Sequence, residues 1–239
     1  MNNKFIISCE HASNNIPAEW GHLFASLDAK KDLNTHLGID IGAKKIAEYF
    51  SDELSCDLFL ADYSRLLIEL NRSLDNPKLF SKYTQNISDT NKQDIIKDFY
   101  NPYRIQVENL IKKYINQNNK VFHFSIHSFT PVLNDKVRTT DIGLLYDPNK
   151  IQEKEFCKEL KKIYLKDNRY KLKLNYPYRG TSDGFTTYLR AKFDASKYLG
   201  VEIEFNQKYF INNKFDETLA QSVTSTLKSF FTHKVLTLG

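Results

Sequence analysis

Two histidines stand where a sheet would deliver them to one place. His11 follows the apolar run at the head of "KFIISCEHASNNIP", and His127 ends the alternating segment "KVFHFSIHSFTP". Two imidazoles and one carboxylate are a common protein share of a catalytic zinc site, which keeps a fourth position for water. The carboxylates on offer are Glu10, Asp40, Glu202 and Glu204. His123 shares a strand face with His127, but four residues along a strand set it roughly 13 Å away. A satisfied interior histidine is therefore expected there.

Three further stretches hold groups that could act on an anion or a proton. In "YSRLLIELNRS", Arg65 and Arg72 bracket Glu69 and Asn71, and a planar guanidinium with an adjacent amide can clamp a carboxylate. An edge strand with solvated arginines held by Glu69 is the alternative. In "VEIEF", Glu202 and Glu204 fall on one face of an apolar strand. Such residues face solvent, pair with cations, or sit in a site where a raised pKa makes one a general base. "NYPYRGTSDGF" is first a turn, punctuated by Pro177, Gly180 and Gly184, from which Tyr178 and Arg179 could reach an anionic ligand.

The elements that must position these groups alternate along the chain. "KFIIS" reads as a strand buried on both faces, and a helix is expected from about Ile41, with Asp40 where an N-cap would stand. "CDLFLADYSRLLIELNR" mixes a strand with an extended tail. Residues 91–118 read as one or two helices, with Pro102 marking a kink or break. In 120–131, Phe122, Phe124 and Ile126 take one face while His123, Ser125 and His127 take the other. "DIGLLYD" is a strand, 149–166 an amphipathic helix, "LGVEIEFNQ" a strand and 216–233 a closing helix. Strands alternating with helices predict an α/β layered fold with a parallel or mixed sheet, and ligands bind such sheets beyond the carboxyl ends of strands. No repeat, low-complexity tract or linker divides 1–239, so one domain is expected.

Composition narrows the classes. An apolar fraction of 41% with plentiful Phe and Tyr belongs to a globular chain. The net charge of +5 comes from scattered lysines, with no basic block of the kind that reads nucleic acid. Three widely spaced cysteines argue against a disulfide framework or a Cys-rich zinc knuckle. No stretch approaches membrane-spanning length, so a cytoplasmic protein with no nucleic-acid or membrane partner is expected. Oligomeric state is not legible.

Taken together, "SCEHASNNIP", "HLGIDIGA", "YSRLLIELNR", "HSFTP", "DIGLLYD", "NYPYRGTSDG" and "GVEIEFNQ" resemble the N-formylglutamate amidohydrolase family, related to zinc carboxypeptidases and aspartoacylase. The resemblance covers most of the chain in the expected order. It implies a three-layer α/β sandwich around a mixed, largely parallel sheet, and Zn²⁺ held by His11 and His127. Asn14 stands where the carboxypeptidase pattern has its carboxylate ligand, so Asp40 is taken as the third ligand, with Glu10 second and the N-cap role as the alternative for Asp40. Arg65 looks like the residue that polarises the scissile carbonyl, and Asn71 with Arg72 like the holder of the substrate carboxylate. Glu204 looks like the general base, with Glu202 a close second. Arg138, Tyr178 and Arg179 are candidates for a second acidic group, and Glu69 stands where the family more often has Asp. The implied reaction is hydrolysis of the N-formyl or N-acyl amide of an acidic amino acid such as N-formyl-L-glutamate. Another N-acyl-amino-acid deacylase or small carboxypeptidase of the same fold is the near alternative; a non-catalytic carboxylate-binding protein is the distant one.

Overall fold

In the computed structural model, all residues are described except Met1, Asn168, Arg169, Asn213 and 237–239; the side chains of Asp167 and 233–236 are also left aside. Six strands form the central sheet: β1 (Asn3–Cys9), β2 (Asp57–Leu60), β3 (Lys120–Phe129), β4 (Ile142–Leu145), β5 (Leu172–Leu174) and β6 (Tyr198–Asn206). Their spatial order is β2-β1-β3-β6-β4-β5. β2, β1, β3 and β6 run parallel, while β4 is antiparallel to β6 and parallel to β5. The expected mixed, largely parallel α/β architecture is the one observed.

Helices cover both faces. On one lie α2 (Ala43–Leu54), α5 (Ile151–Asp167) and α7 (Glu217–Leu236); on the other lie α4 (Asn101–Asn116) and α6 (Phe185–Lys192). Two short helices, α1 (Leu27–Leu33) and α3 (Asp89–Ile95), sit in the connections. α3 runs into α4 through a π-helical turn, Ile96–Tyr100. Pro102 lies in the first turn of α4, where it offers no N–H to the preceding turn, and local widening accommodates its ring without breaking the rod. Pro102 thus marks a change of winding.

Between β2 and α3, residues 61–88 form turns and bends with no strand. The edge-strand alternative for Arg65–Arg72 is therefore corrected. The segment is held by long-range bonds, among them Glu69 N to Leu79 O at 2.9 Å and Ser64 Oγ to Gly38 O at 2.8 Å.

The chain leaves β1 for β2 on one side and returns to β3 on the other. The carboxyl ends of β1 and β3 therefore flank a topological switch point, the place where such sheets open a crevice. The alternation read for β3 holds: Phe124 and Ile126 enter the core under α2, α5 and α7, while His123, Ser125 and His127 face α4 and α6. His123 is a satisfied interior residue, as expected. Its Nε2 meets Ser8 Oγ and its Nδ1 meets Tyr198 Oη, both at 2.8 Å. Tyr198 reaches it by folding over Gly200, where a Cβ would lie 2.6 Å from the tyrosine oxygen.

Burial pushes the His123 imidazole down to about 4 from its usual 6.5. The unfolded chain therefore binds a proton between pH 6.5 and 4 that the folded protein refuses. Stability should fall as pH drops through that window, by about 1.4 kcal/mol per unit and about 3 kcal/mol in all. His123→Gln should remove that slope, so urea midpoints of variant and parent should diverge between pH 7 and pH 4.5; parallel trends would refute the assignment.

Candidate active site

Asp40 joins the two histidines. Its Oδ2 lies 3.2 Å from His11 Nδ1 and 3.0 Å from His127 Nδ1, and accepts the Ser128 amide at 3.2 Å. His11 comes from the end of β1 and His127 from the last turns of the β3 pleat, with ring centroids 4.9 Å apart. Asp40 is brought to them by its own backbone N–H, which donates to His11 O at 3.1 Å. The N-cap of α2 is Gly42, in the left-handed region at φ 84°, so the capping role expected for Asp40 is corrected. Glycine is also needed there because a Cβ would lie 2.6 Å from the Phe210 ring.

Each imidazole is supported from behind. His11 Nε2 meets Glu69 Oε1 at 2.5 Å, and Glu69 in turn accepts from Arg65 Nε at 2.7 Å. Arg65 also reaches Asp40 Oδ1 at 3.3 Å. His127 Nε2 lies 3.2 Å from Glu10 Oε2 and 2.9 Å from Ser125 Oγ. Ser125 donates to the same Glu10 oxygen at 2.5 Å, and Tyr103 donates to the other at 3.1 Å. Carboxylates placed behind imidazoles fix ring orientation and leave the opposite nitrogen for a ligand. Here that nitrogen is Nδ1 on both rings.

Charge compensation keeps this buried group together. Burial alone would raise the carboxyls of Glu10, Asp40 and Glu69. The histidines, with Arg65 beside Glu69 and Ser125 beside Glu10, hold all three well below their usual range. Burial would lower both histidines; Asp40 with Glu10 raises His127 well above 6.5, and Glu69 with Asp40 raises His11. Three carboxylates thus balance two imidazoliums and one guanidinium. Among the described residues, His11, Asp40 and His127 are a group whose ligand atoms lie within 4.8 Å of one another. Two imidazoles and a carboxylate suit a divalent cation, and such an ion taken up in exchange for two protons leaves the buried charge unchanged. The residues fit a metal.

The site opens into a cleft of about 490 Å³. Arg65, Asn71, Arg72, Tyr178, Arg179 and both glutamates of β6 line it. Asn71 Oδ1 accepts from Phe185 N at the start of α6 at 2.6 Å, and Arg72 Nη1 donates to Asn71 O and Asp183 O at 2.6 and 2.9 Å. Tyr178 and Arg179 arrive on a loop that packs closely on the sheet. A Cβ on Gly143 would lie 2.0 Å from Tyr176 O, and one on Gly180 would lie 2.1 Å from Tyr146 N. Arg138 does not line the cleft; its guanidinium lies over the Phe129 and Tyr178 rings and donates to Tyr178 Oη at 3.3 Å. Asn14 is also outside, donating to Asn34 Oδ1 in an exposed loop.

Comparison with known proteins agrees with the fold and with the family that the motifs resemble. The sequence matches the family model of N-formylglutamate amidohydrolase over residues 3–211. The chain belongs to this family. A gene product of Agrobacterium tumefaciens has the same fold, with a TM-score of 0.77 and 24% identity over 95% of this chain and 91% of its own. An N-formylglutamate amidohydrolase from Ralstonia eutropha superposes with a TM-score of 0.65 and 17% identity, over 94% of this chain and 91% of its own. No curated protein matches. Among the described residues, no helix is long and apolar enough to cross a membrane.

Family membership makes the chain an amide-bond hydrolase, and the two glutamates of β6 differ in a way that bears on this. Both are buried, Glu202 in register with Ser125 and Glu204 with His127. Glu202 Oε1 accepts from Thr186 Oγ1 at 2.6 Å, whereas Glu204 Oε2 has no partner among the described residues. Burial, opposed by the charge of His127 but reinforced by Asp40 and Glu202, pushes the Glu204 carboxyl up to about 8. Sequence reasoning paired neither Glu10 with His127 nor Glu69 with His11, and it missed Ser125, Ser128 and Thr186 as partners. Ser125 could have been found from its place on the His127 face; Thr186 carries no such signal.

A carboxyl raised on folding costs stability as pH climbs from its unfolded value of 4.5 towards 8. Metal-free Glu204→Gln should therefore be more stable than metal-free parent at pH 8, with the advantage shrinking towards pH 4.5 at about 1.4 kcal/mol per unit. Thermal unfolding of both proteins at three pH values checks this, and a variant less stable than the parent at pH 8 would contradict it.

Proposed function

We propose that this amidohydrolase is zinc-dependent and cleaves the N-formyl, or a related N-acyl, amide of an acidic amino acid, with N-formyl-L-glutamate as the leading substrate. The observation that carries the proposal is the unpartnered Glu204 carboxyl, in register with His127 and in the same cleft as Arg65, Asn71 and Arg72. A buried acid with an unsatisfied oxygen and a pKa close to neutrality is suited to moving a proton.

His11, Asp40 and His127 would hold the ion. When bound, zinc would supply Lewis acidity towards the amide carbonyl and lower the pKa of water. Arg72, with the Asn71 amide, grips the amino-acid carboxylate and sets the scissile amide in place. Arg179 and Tyr178 face the second acidic group, and Arg138 supports Tyr178. Glu204 accepts a proton from the attacking water as its oxygen bonds to the carbonyl carbon, and Arg65 stabilises the charge that develops on the carbonyl oxygen. Glu204 then returns the proton to the departing nitrogen as the C–N bond breaks. For the leading substrate the products are formate and glutamate.

Release of glutamate from N-formylglutamate should require about one zinc per chain, vanish on chelation and return on adding the metal. His11→Ala should lose both metal and activity while keeping its circular dichroism spectrum; full metal content in that variant would overturn the ligand assignment. Glu204→Gln should lower kcat by about 10²–10⁴, and Arg65→Met by about 10²–10³, with metal content kept in the Gln variant. Metal-dependent activity on other acyl amino acids but not on N-formylglutamate would move the substrate, not the mechanism.

A further inference from the structure

Arg104 lies on α4 and is 4% exposed, yet it lines no part of the cleft. Its Nη1 donates to Leu70 O at 2.8 Å and to Arg72 O at 3.3 Å, the two carbonyls that flank Asn71. Tyr100, four residues earlier and so on the same helix face, donates its hydroxyl to Arg72 O at 2.7 Å. The Arg104 guanidinium is packed among three rings, with its carbon 4.8 Å from the Tyr100 centroid and 4.4 Å from those of Phe185 and Tyr188. Phe185 is the residue whose backbone N–H fixes the Asn71 side chain. Arg104 therefore constrains Asn71 and Arg72 by two routes, through their backbone and through the ring beside their amide partner.

Burying a guanidinium here is costly. Its Nη2 finds no partner among the described residues, and an apolar side chain would fill the same interior with a smaller desolvation penalty. Cation–π contact offsets only part of that cost. Packing alone does not call for arginine at this position. A demand to hold the two carbonyls on either side of Asn71 in an irregular segment does, because residues 61–88 have no ladder of their own to fix those peptides.

We infer that Arg104, seconded by Tyr100, is a positioning residue for carboxylate recognition: from outside the cleft it sets the Asn71–Arg72 pair at the geometry that binds the amino-acid carboxylate. The inference rests on the proposed role of that pair. Its signature is selective loss of carboxylate preference, a property that general destabilisation does not change.

The test compares N-formylglutamate with its α-carboxamide analogue, as the ratio of kcat/KM values, on zinc-loaded protein. Arg104→Lys should raise KM for the acid by about 10-fold or more, leave kcat within about threefold, and shrink the acid-to-amide ratio. Zinc affinity, measured by competition with a chromophoric chelator, should stay unchanged. Tyr100→Phe removes one hydrogen bond and should shift the same ratio in the same direction by a fewfold, so it decides the matter if the Arg104 variant does not fold. Arg72→Met is the reference. Should it leave the ratio intact, the clamp itself is wrong and the inference falls with it. Should Arg72→Met collapse the ratio while the foldable variants at 104 and 100 preserve it, the inference alone is overturned.

Discussion

One carboxylate oxygen organises this site. Asp40 Oδ2 stands between the inward nitrogens of His11 and His127, which come from different strands, and Asp40 itself comes from the loop before α2. None of the three can be buried alone, because an isolated charge at that depth would cost several kcal/mol. Together with Glu10, Glu69 and Arg65 they form a compensated set, in which each carboxylate is paired and each imidazole is fixed through both nitrogens. The set lies at the switch point between β1 and β3, where chain direction opens the sheet.

Compensation also fits the proposed exchange of protons for a cation. Burial lowers both imidazoles, but their carboxylate neighbours raise them. Each ring faces carboxylates through both nitrogens, so the pocket favours positive charge, which protons or a dication would supply. Glu204 remains outside this pairing. It lies in register with His127, but one of its oxygens has no partner among the described residues, and burial raises its carboxyl to about 8 in the metal-free protein, close enough to neutrality for the proposed proton transfer. The contrast between paired and unpaired acids in one cleft is the structural basis for assigning different roles to residues of the same type.

Around this centre, rigidity comes from unlike sources. Regular β3 and β6 carry His127, Glu202 and Glu204, whose spacing is fixed by the pleat. Arg65, Glu69, Asn71 and Arg72 belong instead to a segment without regular structure, and side chains from elsewhere hold it. Glu69 is tied to His11 and Arg65, Asn71 to α6, and the carbonyls of Leu70 and Arg72 to Arg104. Loops that carry function need such scaffolding, since isolated backbone bonds such as Glu69 N to Leu79 O form no continuous ladder.

Legible in the chain alone were the layered α/β fold, the two strand-end histidines and the face shared by His123, Ser125 and His127. These follow from periodicity, because a period of two assigns each side chain a face whatever the rest of the molecule does. The order of motifs likewise pointed to the family. The chain did not disclose that Gly42 would cap α2 and release Asp40, that Glu10 and Glu69 would stand behind the histidines, or that Glu202 would have a partner and Glu204 none. Those outcomes depend on residues that are far apart in sequence: 16 positions for Thr186 and Glu202, 58 for His11 and Glu69, and 117 for Glu10 and His127. Local pattern carries no information about such meetings: they are set by where the sheet's crossovers lead the chain and by the need to leave no buried charge uncompensated.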